Sequence, residues 1–261
     1  MIVVKFGGHA MKDENGNFAK AISGAIFSGE KVVVVHGGGP QIDAELRAQQ
    51  IVSTWMGGFR VTTQEIFDVV ERVLVHQVGP EVADNLSKIG LKAIAISART
   101  LPTIISKRRT TLIDGSFAEL GFVGDVASVN PTHILELLEQ GFIPVIAPIS
   151  SAEDLITGLN VNADFAAAAI AAELEASALI VMTDVAGIYR NWPDRDSLIE
   201  RITASDLESI KSEFAEGMAP KVQAALDAIA FGTQAVRIID GTDSESFAQA
   251  LSGIGGTLVV A

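Results

Sequence analysis

The stretch VVVVHGGGPQI, residues 32–42, sets the architecture of this chain. Its four consecutive valines are β-branched and apolar, which favours a strand buried on both faces. Three consecutive glycines follow His36, and Pro40 suits the first turn of a helix because proline lacks the N–H that would be unpaired there. The pattern therefore predicts a strand, a glycine turn and a helix in direct succession.

A glycine turn between a strand and a helix N-terminus suits the binding of an anion. The first N–H groups of the helix are free, no Cβ blocks close approach, and the helix dipole adds partial positive charge. The stretch lacks the Gly-Lys-Ser/Thr of the Walker motif, and Ile42 replaces the third glycine of the dinucleotide fingerprint. On these residues alone, a tight turn without a ligand is an equally good interpretation.

Length and composition limit the classes of protein to consider. The 261 residues suffice for one large α/β domain or for two lobes that share a sheet. No apolar run approaches the ~20 residues of a membrane helix, and the N-terminus lacks the layout of a signal peptide. A net charge of −13 argues against nucleic acid or an anionic membrane as a partner. The absence of cysteine excludes disulfides and thiolate metal sites, which fits a cytoplasmic protein.

Strand patterns and helix patterns alternate along the chain. Short apolar runs such as residues 2–6 and 178–182 predict buried strands, and segments with helical periodicity lie between such runs. The alternation predicts an α/β fold, a three-layer αβα sandwich around a central, mostly parallel sheet. An Ala-rich helix should end near Glu175, which places a boundary between residues 1–175 and residues 176–261.

Three local expectations concern the segments between these elements. Residues 51–62 contain Gly57-Gly58 among strand-forming residues, which predicts a hairpin. Gly79-Pro80 should interrupt the helical region that begins at Thr63, because proline cannot continue the helical hydrogen bonds. Residues 155–164 should form a polar loop.

Two lysines stand beside turns that could bind an anion. Lys5 lies at the end of the first strand, before Gly7 and Gly8, where α/β sheets bind ligands. Two glycine turns at the ends of neighbouring strands would surround a phosphoryl group with N–H donors. Lys221 lies at the start of a helix, where its charge opposes the helix dipole, and a function would explain that placement. A solvent-exposed lysine is the alternative for both.

Other polar residues have both a functional and a structural interpretation. Residues 160–164, NVNAD, offer two amides and a carboxylate to a small polar ligand, although Asp164 also suits a helix start. Arg60 could bind a carboxylate with its planar fork, or lie on the surface of the hairpin. Residues 183–189 could hold a nucleotide or form one more sharp turn. Metal-ligand spacing is absent among the histidines, which are His9, His36, His76 and His133.

The motifs follow one another in a recognisable order. They are KFGGHAM from Lys5, HGGGP from His36, GFRVT from Gly58, GFVG from Gly121, IPVIAP from Ile143, NVNAD from Asn160, TDVAG from Thr183 and PKV from Pro220. Together they resemble the acetylglutamate kinases of the amino acid kinase family, over nearly the whole chain. The resemblance implies the amino acid kinase fold, with a substrate-binding and dimerisation lobe over residues 1–175 and a nucleotide-binding lobe over residues 176–261.

The resemblance also implies roles for individual residues. Lys5 and Lys221 would stabilise the phosphoryl group during transfer, and Asp164 would hold both lysines in place. The residues implied in donating N–H groups to the phosphoryl group are Gly8, Gly38 and Gly39. Those implied in binding acetylglutamate are Arg60, Asn160 and Asn162. Those implied at the nucleotide are Gly7, Thr183, Asp184, Val185, Ala186, Gly187, Ile188 and Tyr189.

The activity implied is the transfer of a phosphoryl group from ATP, with Mg²⁺, to the γ-carboxylate of N-acetyl-L-glutamate in arginine biosynthesis. The protein would be a cytoplasmic homodimer. One alternative is a kinase for an aminoadipate derivative in lysine biosynthesis, and another is a non-catalytic regulatory paralogue, which should lack Lys5, Asp164 or Lys221. Residues 97–101, SARTL, depart from the Ser-Gly-Lys-Asp-Gly usual in the family.

Arginine-inhibited relatives carry a helix before the first strand and form hexamers. The first strand here begins at Ile2, so we expect activity that is insensitive to L-arginine.

Overall fold

The computed structural model describes residues 1–7, 16–214, 217–243 and 245–261. Strands and helices alternate as the sequence predicts. The strands are β1 (Ile2–Phe6), β2 (Val32–His36), β3 (Trp55–Met56), β4 (Phe59–Arg60), β5 (Ala93–Ser97), β6 (Ile104–Arg108), β7 (Val123–Val129), β8 (Ile143–Ala147), β9 (Ile149–Ala152), β10 (Gly158–Val161), β11 (Ala178–Thr183), β12 (Arg201–Thr203), β13 (Ala235–Asp240) and β14 (Thr257–Val260). The α-helices are α1 (Asn17–Phe27), α2 (Gly39–Ala48), α3 (Gln64–Val73), α4 (Gly79–Ser87), α5 (Thr132–Glu139), α6 (Ala163–Glu173), α7 (Ala204–Ile210), α8 (Ala219–Ala230) and α9 (Ser246–Leu251).

One eight-stranded sheet forms the central layer, in the order β12-β14-β13-β11-β1-β2-β8-β5. Six of its seven neighbouring pairs are parallel, and only β13 and β14 are antiparallel within the described residues. Successive residues of β1 point to opposite faces, so Val4 packs into one hydrophobic core and Val3 into the other. Helices cover both cores, which confirms the three-layer fold with its mostly parallel sheet.

The middle of the sheet brings the two predicted functional halves together. β1 pairs in register with β2 on one side and with β11 on the other. The carboxyl ends of these three parallel strands therefore meet at one edge of the sheet, where ligands bind in such folds. Lys5, His36 and Thr183 stand at that edge, although they are far apart in the sequence.

A second, small sheet closes on itself as a four-stranded barrel of β6, β7, β9 and β10. The expectation of a polar loop over residues 155–164 is wrong for the part that forms β10. Leu159 and Val161 are buried, whereas Asn160 between them faces the other way and is half-buried. This alternation is a strand pattern that the polar residues obscured.

The expected break at Gly79-Pro80 is also wrong. Residues Leu74–Val78 form a π-helix that joins α3 directly to α4. The Gly79 N–H reaches back to the Leu74 carbonyl, and Pro80 lies in the first turn of α4, where its missing N–H is tolerated. A wider turn thus accommodates the proline without ending the helical path.

The predicted hairpin and the predicted helix start near Thr63 are both confirmed. β3 and β4 form the predicted hairpin around Gly57-Gly58. Thr63 caps α3, since its side chain accepts a hydrogen bond from the Ile66 N–H at 3.2 Å. Across the ranges that the structure describes, no helix combines the length and the apolar character needed to cross a bilayer.

Candidate functional site

The glycine turn after β2 is built by close packing. The Gly37 N–H donates to the Phe6 carbonyl at 2.8 Å, which ties this turn to the end of β1. A Cβ on Gly38 would lie 2.5 Å from Leu74 Cδ2, so any larger residue would displace the Leu74 side chain. The helix α2 begins directly at Gly39. Gly8, predicted to donate from the first turn, lies outside the described residues.

His36 supports this turn from inside the protein. Its side chain is fully buried, and Nδ1 lies 2.8 Å from the Gly37 carbonyl oxygen. Burial lowers the pKa of His36 to about 4, although the hydrogen bond to Gly37 opposes that shift. The ring is therefore neutral at pH 7, and Nδ1–H donates to the carbonyl. The ring thus ties the end of β2 to the turn that follows it.

A cluster of three charged residues stands at the carboxyl end of β1, and two of them, Lys5 and Asp164, are buried. Asp164 Oδ1 lies 3.1 Å from Lys5 Nζ, and Lys221 Nζ donates to Asp164 Oδ2 at 2.9 Å. Asp164 belongs to the first turn of α6, whereas Lys221 belongs to the first turn of α8. One carboxylate thus joins a strand and two helices, and it offsets the unfavourable position of Lys221 at a helix N-terminus.

The pKa values of the three charged groups are shifted in different directions and for different reasons. Burial on its own raises the pKa of Asp164, but the charges of Lys221 and Lys5 outweigh it, and the pKa lies well below its usual value. For Lys221 the charge of Asp164 dominates and raises the pKa. For Lys5 burial dominates and lowers the pKa, although Asp164 opposes it. Asp164 thus favours the charged form of each lysine, and the two lysines favour the charged form of Asp164.

A cavity of about 390 Å³ opens beside this cluster. Its lining includes all three charged residues, the glycine turn at residues 37–39, the hairpin residues Trp55 and Arg60, and the Asn160–Asn162 segment. Cations, backbone N–H groups and amides thus converge on one space. Such a lining suits a ligand that carries negative charge at both ends.

The sequence model of the amino acid kinase family matches residues 1–240. The chain belongs to the amino acid kinase family. It is 44% identical to an acetylglutamate kinase of Kineococcus radiotolerans over 254 residues, which cover 94% of this chain and 85% of that relative. It is 45% identical to an acetylglutamate kinase of Streptomyces clavuligerus over 242 residues, which cover 92% of this chain and 80% of that relative.

A solved structure is similar over the full length of this kinase. The smu.665 protein of Streptococcus mutans UA159 has a TM-score of 0.84 and 28% identity, covering 100% of this chain and 98% of the other. The match supports the amino acid kinase fold for the whole described chain.

The two asparagines predicted to bind substrate make different hydrogen bonds within the protein. The Asn160 amide donates to Thr62 Oγ1 at 3.2 Å, which joins β10 to the end of the hairpin. Asn162 caps α6, since its Oδ1 accepts from the Asp164 N–H at 2.8 Å. Both line the cavity of this kinase, so each combines a structural contact with access to a ligand.

The segment predicted to hold the nucleotide begins where β11 ends. Thr183 is buried, and its carbonyl accepts from the Gly241 N–H at 2.7 Å. The Ile188 N–H donates to Thr257 Oγ1 at 2.8 Å, so the last strand of the kinase fixes this segment. Asp184 is exposed, and its negative charge favours the charged form of both Lys5 and Lys221. The segment therefore lies within electrostatic reach of the charged cluster.

Several residues of the site escaped the sequence analysis. Asp43 and Ser53 contact Arg60, and Trp55 covers it. The position of Trp55 was predictable, because a two-residue turn at Gly57-Gly58 pairs it with Arg60. Asp43 carries no comparable signal, since it lies on the helix α2, outside the hairpin. Among the residues described, no group of three acidic or histidine side chains could hold a metal ion.

Proposed function

We propose that this kinase transfers the γ-phosphoryl group of ATP to the γ-carboxylate of N-acetyl-L-glutamate, a step of arginine biosynthesis. The observation that carries the proposal is the Lys5–Asp164–Lys221 cluster, which lines a cavity together with Arg60 and Asn160. The identities of 44% and 45% to acetylglutamate kinases support the choice of substrate.

The chemistry requires positioning and positive charge. A γ-carboxylate with a pKa of about 4.3 is ionised at pH 7, so its oxygen attacks the γ-phosphorus without a general base. The new carboxyl O–P bond forms while the bond from phosphorus to the β,γ-bridging oxygen breaks, and ADP leaves with that electron pair. An anionic nucleophile approaches an anionic phosphoryl group, so cations and N–H donors must neutralise the transition state.

The residues divide this work between them. Lys5 and Lys221 stabilise the charge on the transferring phosphoryl group, and Asp164 keeps both ammonium groups in position. The Gly38 and Gly39 N–H groups, with that of Gly8, donate to the phosphoryl oxygens. On the substrate side, the proposed contacts come from Arg60, Asn160 and Asn162.

The nucleotide enters from the other half of the sheet. The proposed contacts come from Gly7, Thr183, Asp184, Val185, Ala186, Gly187, Ile188 and Tyr189. ATP is used as its Mg²⁺ complex, and the metal supplies charge neutralisation at the phosphates. Apart from Asp164, Asp184 is the carboxylate whose negative charge favours the charged form of both lysines.

The assembly and location follow from the same proposal. Residues 1–175 form the substrate and dimerisation lobe, residues 176–261 form the nucleotide lobe, and two chains form a homodimer in the cytoplasm. A two-fold dimer is the commonest closed oligomer. Light scattering on the purified protein tests the dimer, and a mass near that of one chain would contradict it.

An assay with two candidate substrates tests the activity. ADP release from Mg–ATP should depend on N-acetyl-L-glutamate, and hydroxylamine should trap the acyl phosphate as a hydroxamate. N-acetyl-L-2-aminoadipate, one methylene longer, serves as the matched competitor, and a higher kcat/KM for it would overturn the choice of substrate. If neither compound stimulates ADP release, the proposed function fails.

A further inference from the structure

The Arg60 guanidinium is held by residues on three segments. Its Nη1 lies 2.7 Å from Asp43 Oδ1 and donates to Ser53 Oγ at 2.8 Å. The centroid of the Trp55 ring lies 4.5 Å from Arg60 Cζ, the distance of a cation–π contact. Since Nη1 carries two protons, Asp43 and Ser53 use both of them.

The other terminal nitrogen, Nη2, has a different environment. The Arg60 side chain is 3% exposed, and Nη2 is buried without a hydrogen-bond partner among the described residues. An unpaired buried donor is unfavourable in free energy, so this position suits an acceptor atom from a ligand. Arg60 lines the cavity of about 390 Å³ together with Trp55 and Asn160.

The hairpin fixes how Trp55 meets Arg60. The two residues are paired directly across β3 and β4, so their side chains lie on the same face. Gly57 and Gly58 form the two-residue turn with φ angles of 54° and 82°. Positive φ at both positions is typical of a type I′ turn, which sets the register of a hairpin. The contact between ring and guanidinium is therefore built into the turn.

We propose that Trp55 is a positioning residue, which holds the plane of the Arg60 guanidinium so that Nη2 binds the α-carboxylate of the substrate. The inference rests on the proposed function, because it takes N-acetyl-L-glutamate as the ligand. Trp55 is 57% exposed, so it contributes little to the hydrophobic core. Its removal should weaken substrate binding and leave the fold intact.

Kinetics on two substitutions test the role of the ring. Trp55→Leu removes the π face, and we expect KM for N-acetyl-L-glutamate to rise about fivefold to twentyfold, with kcat within about twofold and KM for ATP unchanged. Trp55→Phe keeps a smaller aromatic face and should give an intermediate KM. An unchanged KM in Trp55→Leu, or a fall in kcat alone, would overturn the proposal.

A double substitution separates positioning from direct contact. Arg60→Lys should itself raise KM for N-acetyl-L-glutamate, because a point charge replaces a planar fork. In an Arg60→Gln background the guanidinium is gone, so adding Trp55→Leu should change KM by less than about twofold. If the two effects instead multiply, Trp55 acts without Arg60 and the proposal is wrong.

A matched control uses Phe27, which is 95% exposed at the end of α1. Phe27→Leu removes an exposed ring away from the cavity and should leave both KM values unchanged. The melting temperature of Trp55→Leu should lie within about 3 °C of the wild type. If Trp55→Leu fails to fold, the Trp55→Phe kinetics and the fluorescence titration below decide the matter.

Fluorescence reports on Trp55 directly, because the chain has only two tryptophans. In Trp192→Phe, Trp55 is the only emitter. We expect N-acetyl-L-glutamate without ATP to change its emission, with half-saturation near KM. Unchanged emission, in a protein that still phosphorylates N-acetyl-L-glutamate, would overturn the placement of the carboxylate beside the ring. A wild-type protein without that activity would instead refute the proposed function.

Discussion

Lys5 and Lys221 contact the same carboxylate from opposite sides, yet their surroundings differ. Lys5 extends from β1 in the middle of the sheet and is 9% exposed, whereas Lys221 extends from the start of α8 and is 18% exposed. Their distances to Asp164 are similar, 3.1 Å and 2.9 Å. Nevertheless the pKa of Lys5 is lowered, chiefly by burial, and that of Lys221 is raised, chiefly by Asp164.

The difference shows that an ion pair does not determine a pKa by itself. Removing an ammonium group from water favours its neutral form, and a nearby carboxylate favours its charged form. At Lys5 the first effect is larger, and at Lys221 the second is larger. Asp164 therefore matters more for the charge of Lys5, where the loss of the carboxylate leaves burial unopposed.

Replacing the shared partner should have the largest effect. In Asp164→Ala, the buried Lys5 and the half-buried Lys221 face each other without a counter-charge, so we expect turnover to fall by at least ~10³-fold. The free energy of unfolding should fall by about 3 kcal/mol, as when one member of a buried ion pair is removed. Steady-state kinetics and urea denaturation measure the two quantities.

The matched control for this substitution is Glu153→Gln. Glu153 pairs with Lys107 at 3.6 Å, but both side chains are about two-thirds exposed, at 67% and 66%. Exposed pairs contribute little to stability, so this variant should behave as the wild type. If Asp164→Ala also behaves as the wild type, the cluster has no role in catalysis.

Removing either lysine should have the next largest effect. Lys5→Ala and Lys221→Ala should each lower turnover by at least ~10²-fold, because each removes charge stabilisation of a few kcal/mol from the transition state. Lys107→Ala, at an exposed lysine, serves as the control. Near-native turnover in either variant would refute the assigned role and would break the equivalence of the two lysines in catalysis.

The contributions of the two lysines to stability should change with pH in opposite directions. This effect should be smaller than those of the substitutions above. The lowered pKa of Lys5 means that its contribution to stability increases as pH rises toward about 10.5, its unfolded value. The raised pKa of Lys221 means that its contribution is complete below about 10.5 and is lost as pH rises further.

Denaturation of Lys5→Met and Lys221→Met between pH 8 and pH 11 should therefore diverge. Relative to the wild type, Lys5→Met loses more stability as pH rises, whereas Lys221→Met loses less at the alkaline end. The slopes should differ by no more than about 1.4 kcal/mol per pH unit, the limit for one proton. Parallel slopes in all three proteins would mean that the two environments do not differ as described.

The sequence predicted the layers of the fold because periodicity records which faces are buried. It also predicted Lys5, Asp164 and Lys221 as candidates, since each stands beside a turn or a helix start. It did not predict the strand β10, where polar residues alternate with apolar ones. It also did not predict the π-helix before Gly79, because the apolar residues there keep a spacing typical of an ordinary helix. Contacts between distant segments, such as Asp43 with Arg60, leave no trace in local spacing.

The ion pair between Lys5 and Asp164 also bears on whether the reaction product inactivates the enzyme. The proposed product is an acyl phosphate, which acylates amines, and an amine attacks only in its neutral form. Burial favours the neutral form of Lys5, and the carboxylate 3.1 Å away opposes it. We expect acetyl phosphate to acetylate Lys5 faster in Asp164→Asn than in the wild type, as measured by peptide mass spectrometry; equal rates would contradict this. Asp164 would thus shield the active site from inactivation by the product that forms there.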